Sequence, residues 1–123
     1  MEEHLICMTT TELFRFTSGQ IVYISAEGNY SHIHTSGGED FLVGFQLGQL
    51  EQMIAGQMPD NARRFIRIGR NYIVNEHYIC SISVPRQRLV LLDRTDKKYA
   101  LTPSREALKA LKQHLEDTYG KIQ

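Results

Sequence analysis

The sequence predicts a mainly β domain with two helices, one inserted between strands and one at the end of the chain. Most of the chain consists of short apolar runs rich in β-branched and aromatic residues, separated by Gly, Asn or Asp. Only two segments, 46–56 and 102–119, repeat apolar residues at the spacing of a helix. The length of 123 residues and the apolar fraction of 41% are typical of one globular domain.

The first half of the chain contains five predicted strands. They are LICM (5–8), ELFRF (12–16), IVYISAE (21–27), YSHIHT (30–35) and EDFLVGF (39–45). YSHIHT alternates cleanly, which places Tyr30, His32 and His34 on the face opposite Ile33. Between IVYISAE and YSHIHT, Gly28-Asn29 is a turn signal. We therefore predict a hairpin at this point.

The first predicted helix is QLGQLEQMIAG, residues 46–56. Its apolar residues Leu47, Leu50, Met53 and Ile54 recur at spacings of three and four, and Gly56 is the predicted end. The rest of the chain returns to strand-like runs, which are the segment 63–84 around a break at Gly69, RLVLL (88–92) and KKYALT (97–102).

The last predicted helix begins near Thr102, which is a suitable N-cap residue. Pro103 suits the first helical turn, and Glu106 favours the positive end of the helix dipole. Apolar residues then line one face of the helix, which is predicted to end near Tyr119. They are Leu108, Leu111 and Leu115.

The formal net charge is zero, but the two halves of the chain differ strongly in charge. Residues 1–62 carry one base and eight acids, which gives 1 − 8 = −7, and residues 63–123 carry thirteen bases and six acids, which gives 13 − 6 = +7. This asymmetry fits an anionic partner, and it equally fits two halves that neutralise each other. Arg105, Lys109 and Lys112 share one face of the last predicted helix. This face is either simply solvated or lies along the phosphates of a nucleic acid.

The sequence offers little support for catalysis or cofactor binding. It contains no G-x-S-x-G, H-E-x-x-H, P-loop or C-x-x-C motif, so we predict that it is not an enzyme and binds no cofactor. His32 and His34 could ligate a metal, but no third ligand lies at a suggestive spacing, and two polar positions on a half-exposed strand are the simpler interpretation. Cys7 and Cys80 are predicted to be reduced and buried. With no signal peptide and no membrane-length apolar run, we predict a cytoplasmic protein without membrane contact.

Four segments in order resemble the LytTR family of bacterial DNA-binding domains. They are IVYISAEGNYSHIHTSGG, FQLGQLEQMI, FIRIGRNYIVNEHYICSI and LVLLDRTDKKYALTPSREALKALKQHL. The resemblance runs from about Leu5 to Leu115 and implies a single LytTR-like domain over residues 1–123. It implies an elongated stack of small antiparallel sheets with helices alongside, whose loops enter successive major grooves of DNA.

The resemblance also implies a biological setting, that of a two-component transcriptional regulator. Family members usually follow a response-regulator receiver domain and bind tandem direct repeats in promoters, where they can dimerise on double-stranded DNA. No small-molecule substrate is implied. A stand-alone regulator and a fragment of a longer protein are both compatible with this chain.

The family's base-reading positions correspond to Asn29, Arg70 and Arg105 in this sequence. An Asn amide can pair with the N6/N7 edge of adenine, and Arg with the O6/N7 edge of guanine. Candidates for phosphate contact, which positions the protein without specifying sequence, surround them. They are Arg67, Asn71, Arg88, Lys97, Lys98 and Lys109.

Two departures from the family pattern predict weaker DNA binding. Gly69 stands where the family has a histidine, and Glu106 replaces a second basic residue after Arg105. The main alternative is therefore a protein-interaction module on the same fold with weakened DNA binding. A metal or small-ligand sensor that uses His32 and His34 is a more remote alternative.

Overall fold

The computed structural model describes residues 2–120, which form ten strands and two α-helices. The strands are β1 (His4–Met8), β2 (Leu13–Thr17), β3 (Ile21–Glu27), β4 (Tyr30–Thr35), β5 (Asp40–Val43), β6 (Phe65–Ile68), β7 (Tyr72–Asn75), β8 (Ile79–Ser83), β9 (Arg88–Leu92) and β10 (Lys98–Leu101). The helices are α1 (Leu47–Gln57) and α2 (Arg105–Tyr119). The predicted class is confirmed, and within residues 2–120 neither helix has the length and apolar character needed to cross a membrane.

The strands form three antiparallel sheets. β1 pairs with β2, the second sheet has the order β10-β9-β8, and the third has the order β5-β4-β3-β7-β6. α1 lies between β5 and β6 in the chain and packs against β1, β3 and β7, whereas α2 packs against β6 and β8. The expectation of small antiparallel sheets with one inserted and one C-terminal helix is therefore correct.

The five-stranded sheet has a hydrophobic core on each face. On one face, Ile24 and Ile73 pack with Leu50 of α1 and with the β1–β2 hairpin. On the other, Val74 packs with Leu108 of α2 and with the three-stranded sheet. Because the neighbours Ile73 and Val74 belong to different cores, the middle sheet is buried from both sides.

α2 begins two residues later than the sequence predicts. Ser104 is the N-cap, and its Oγ accepts a hydrogen bond from the Ala107 backbone N–H at 3.1 Å. The prediction of Thr102 as N-cap is wrong, because Pro103 is buried ahead of the cap instead of lying in the first helical turn. Arg105 is consequently the first residue of the helix.

Gln57, the last residue of α1, joins this helix to β1. The Ile6 backbone N–H donates to Gln57 Oε1 at 2.7 Å, and Gln57 Nε2 donates to the Ile6 carbonyl at 3.2 Å. The helix extends one residue beyond Gly56, its predicted end, and the Met58 N–H caps it by donating to the Ile54 carbonyl at 2.8 Å. The Gln57 side-chain amide thus forms with β1 the pair of hydrogen bonds that the backbone of a neighbouring strand would otherwise form.

The two cysteines lie in different environments, and no disulfide joins them. Cys7 is buried as predicted, and burial raises the pKa of its thiol to about 11. Cys80 is exposed, so the prediction of its burial is wrong. The prediction rested on the apolar residues around Cys80, but the pairing of β8 with β9 shifts register between Ile79 and Ser81, and Cys80 lies at this irregularity.

Asp93 fastens the three-stranded sheet to the turn between β4 and β5. Its Oδ2 accepts hydrogen bonds from the Gly37 N–H at 2.9 Å and the Tyr99 hydroxyl at 2.7 Å. Its Oδ1 accepts from the N–H and hydroxyl of Thr95, both at 2.7 Å, and from the Lys97 N–H at 3.0 Å. Burial alone would raise the pKa of Asp93, but these hydrogen bonds outweigh it and hold the pKa well below its usual range.

Candidate nucleic-acid interface

The turn between β3 and β4 presents Asn29 at one end of the five-stranded sheet. Gly28 adopts a φ of +60°, a conformation that favours glycine, and this allows the tight reversal of the chain. Asn29 is exposed, and its Oδ1 accepts a hydrogen bond from Gln46 Nε2 at 2.9 Å. The predicted hairpin is confirmed.

The turn between β6 and β7, which carries Arg70, lies beside the turn that carries Asn29. β3 pairs with β7, and the Ala26 N–H donates to the Asn71 carbonyl at 2.9 Å. Arg70 and Asn71 are both exposed. The sheet therefore brings these two turns together at one end of its strands.

The first turn of α2 approaches the same place. A Cβ built on Gly69 would lie 3.7 Å from Ala107 Cβ, so the helix begins next to the β6–β7 turn. Arg105 is exposed at this helix start. Within residues 2–120, neither Arg70 nor Arg105 forms an ion pair or a side-chain hydrogen bond.

Arg67 is engaged within the protein and braces the turn that carries Arg70. Its Nη1 lies 3.2 Å from Glu51 Oε1 on α1, and its Nε donates to the Gly69 carbonyl at 2.9 Å. Gly69 has a φ of +58°, so the turn depends on a residue that accepts this conformation. The guanidinium of Arg67 thus ties α1 to this turn.

Lys97 lies at the other end of the five-stranded sheet. Its aliphatic side chain covers Gly38 in the turn between β4 and β5, and its Nζ lies 5.9 Å from the centroid of the Tyr99 ring. The length of β4 separates this turn from Asn29 by about 17 Å. The structure therefore does not bring Lys97 close to Asn29, Arg70 and Arg105.

Arg88 and Lys98 lie together on the outward face of the three-stranded sheet. They line a shallow cavity of about 230 Å³ with Arg86, a cation that the sequence analysis did not single out. Arg86 lies in the turn that joins β8 to β9, two residues before Arg88, and this close spacing of two cations was the available signal. Lys109 is exposed one helical turn after Arg105, and with Lys112 it lines a different shallow cavity.

The two histidines of β4 are occupied by neighbouring side chains. His32 Nε2 lies 2.7 Å from Glu27 Oε2, and its Nδ1 lies 3.1 Å from Asp40 Oδ2. His34 Nε2 lies 2.9 Å from Ser25 Oγ, and burial lowers the pKa of His34. Across the part of the chain that the structure describes, no group of three His, Cys, Asp or Glu side chains could hold a metal ion.

Comparisons with known proteins agree with this fold. The family model of the LytTr DNA-binding domain, a family of DNA-binding domains and not of enzymes, matches residues 11–116. A similar solved structure is the LytTr DNA-binding domain of a methyl-accepting/DNA response regulator from Bacillus cereus. It has a TM-score of 0.64 and 16% identity, and the match covers 94% of this chain and 98% of that one. No curated protein gives a significant match. The chain belongs to the LytTR family of DNA-binding domains.

Proposed function

We propose that this chain is the sequence-specific DNA-binding domain of a bacterial transcriptional regulator and that it reads the major groove through two hairpin turns and the start of α2. The observation that carries the proposal is that Asn29 and Arg70 are exposed on adjoining turns and that Arg105 is exposed at the helix start beside them. An amide and two guanidinium groups are the side chains that pair with adenine and guanine edges, and each such contact contributes about 1–3 kcal/mol of discrimination.

Phosphate contacts would position these three side chains. We assign this role to Asn71, Arg88 and Lys109, which are all exposed. Arg67 would first have to leave Glu51, and Lys97 and its neighbour Lys98, the first residue of β10, lie toward the far end of the sheet. The geometry therefore supports no phosphate contact for these three residues. Neighbouring copies would bind tandem direct repeats and could contact each other on the DNA, as the family membership implies.

The alternative role as a protein-interaction module has less support from the charges. It would use the acidic first half of the chain, but several of those carboxylates already contact side chains within the protein. Glu27 and Asp40 contact His32, and Glu51 contacts Arg67. The acidic surface available to a partner is therefore smaller than the sequence suggests.

The test is a selection of bound duplexes from a random library, followed by equilibrium binding at several salt concentrations. We expect a defined site and a steep loss of affinity with rising salt, because bound cations displace counterions from DNA. Asn29→Ala should relax preference at particular base pairs and leave the salt slope unchanged. Lys109→Ala should lower affinity for all sequences and reduce the slope by about 0.9.

Lys97→Ala is the matched control, because it removes the same charge at the opposite end of the sheet. We expect it to leave both the affinity and the salt slope close to those of the wild type. Recovery of random sequences at every salt concentration would contradict the proposal and favour the protein-interaction alternative.

A further inference from the structure

The amide of Asn29 is held in one orientation by Gln46. Gln46 Nε2 donates to Asn29 Oδ1 at 2.9 Å, and within residues 2–120 this is the only hydrogen bond of the Asn29 side chain. While Gln46 keeps its Nε2 toward Asn29, turning the Asn29 amide over would replace the acceptor with a second donor and break the bond. Asn29 Oδ1 therefore faces Gln46, and the Nδ2 group with its two donors is unengaged.

Gln46 is itself fixed in place from two sides. As the N-cap of α1, Gln46 forms a capping box: its side chain accepts from the Gln49 backbone N–H, and its own backbone N–H donates to Gln49 Oε1 at 2.8 Å. Its carbonyl accepts from the Leu50 N–H at 3.1 Å. The preceding carbonyl, that of Phe45, accepts from the fully buried Ser31 hydroxyl at 2.8 Å. Ser31 lies on β4, two residues after Asn29, so the start of α1 is anchored to the strand that follows the turn.

We infer that Gln46 is a positioning residue that determines which base edge Asn29 reads. The inference rests on the proposed function. With Oδ1 partly occupied, Asn29 presents chiefly donors, which match the acceptors of guanine (N7 and O6), thymine (O4) and adenine (N7). Cytosine presents only its N4 donor in the major groove and is the base that this arrangement disfavours.

Gln46→Glu gives the sharpest test, because it keeps the length of the side chain and reverses its hydrogen-bonding character. A carboxylate only accepts, so the Asn29 amide must turn over and donate Nδ2 to it. Oδ1 then becomes the outward group and accepts from cytosine N4 or adenine N6. We expect preference at one base pair to shift toward cytosine by about threefold to tenfold, the range of one hydrogen bond.

Gln46→Ala removes the partner altogether. The Asn29 amide can then adopt either orientation, and we expect its base pair to be read with about threefold less discrimination. Because Asn29 is the group that touches the base, Asn29→Ala and the double variant Asn29→Ala/Gln46→Ala should select the same sequences. Such non-additivity is the signature of two residues acting through one contact.

The experiment is a random-library selection with the wild type, these four variants and Gln52→Glu, with thermal unfolding of each. Gln52→Glu is the matched control, because it adds the same charge at an exposed position of the same helix. It should lower affinity slightly and leave every base preference unchanged. If one Gln46 variant fails to fold, the other decides the outcome.

The inference and the proposed function fail in distinguishable ways. The inference is overturned and the function stands if three results coincide. The wild type selects a site, Asn29→Ala loses the preference at one base pair, and both Gln46 variants retain that preference. If the wild type selects no sequence, the proposed function fails and the inference falls with it. A shift confined to one base pair in Gln46→Glu, absent in Gln52→Glu, supports both.

Discussion

Replacing Asp93 by Asn should destabilise the fold strongly, although the two residues are nearly equal in size. Asp93 is only 5% exposed, and its two carboxylate oxygens accept five hydrogen bonds. The amide oxygen can keep the contacts of Oδ1 with Thr95 and Lys97. The amide nitrogen takes the place of Oδ2 and meets the Gly37 N–H, so two donors face each other.

The magnitude follows from what is lost at Oδ2. A hydrogen bond to a charged group contributes about 1.5–3 kcal/mol, and the bond from the Gly37 N–H, 2.9 Å long, is lost completely. The Tyr99 hydroxyl also contacts the Thr35 carbonyl at 3.0 Å, so it can donate there and accept from the new amide. We therefore expect Asp93→Asn to lower the free energy of unfolding by about 2–4 kcal/mol at neutral pH.

The pH dependence gives an independent check. The pKa of Asp93 is lowered in the folded state, so its contribution to stability is present above the unfolded pKa, about 3.9, and is lost as the pH falls below it. Each pH unit below that value removes about 1.4 kcal/mol of the contribution. The stability difference between wild type and Asp93→Asn should therefore shrink in acid.

Urea unfolding at about pH 7 and about pH 3 measures both quantities by linear extrapolation. Asp96→Asn is the matched control, because Asp96 is exposed in the same turn, and its φ of +65° is one that Asn tolerates. We expect it to be nearly neutral. If Asp93→Asn unfolds like the wild type, or if its deficit is the same at both pH values, the reasoning is refuted.

Three further predictions concern α2 and the β6–β7 turn. Ser104→Ala should cost about 1 kcal/mol of stability in urea unfolding while Thr102→Ala is nearly neutral, and the reverse order would contradict the N-cap assignment. Leu108→Ala should cost about 2–5 kcal/mol, because Leu108 is fully buried, and a loss well below that range would argue against its place in the second core. Arg67→Ala should weaken binding to the selected site without changing its salt slope, because it acts by bracing the turn at Gly69, and a reduced slope would instead indicate a direct phosphate contact.

The elements of this fold were predictable because their signals are local. The alternation in YSHIHT places Ile33 in the core and leaves His32 and His34 half-buried on the opposite face. The spacing in α1 likewise identified Leu50 and Ile54, which are both buried. These patterns are read from neighbours a few residues apart, so they hold whatever surrounds the element.

The errors and omissions depend on contacts between distant parts of the chain. A register shift in β8 exposes Cys80, and burial of Pro103 displaces the cap of α2. The pairing of Arg67 with Glu51 requires β6 to lie beside α1, which periodicity does not reveal. The three proposed base-reading positions came from the family resemblance, whereas the contact of Gln46 with Asn29 is seen only in the folded chain.

The Gln57 amide has a consequence for how copies of this protein behave in concentrated solution. β1 belongs to a sheet of only two strands, and its hairpin exposes Ile6, Met8 and Leu13. An unpaired edge strand with apolar side chains can pair with a strand of another chain and so begin aggregation. Gln57 forms hydrogen bonds with both the N–H and the carbonyl of Ile6, so these groups in the middle of the β1 edge cannot pair with an incoming strand. The helix thereby protects the hairpin from self-association.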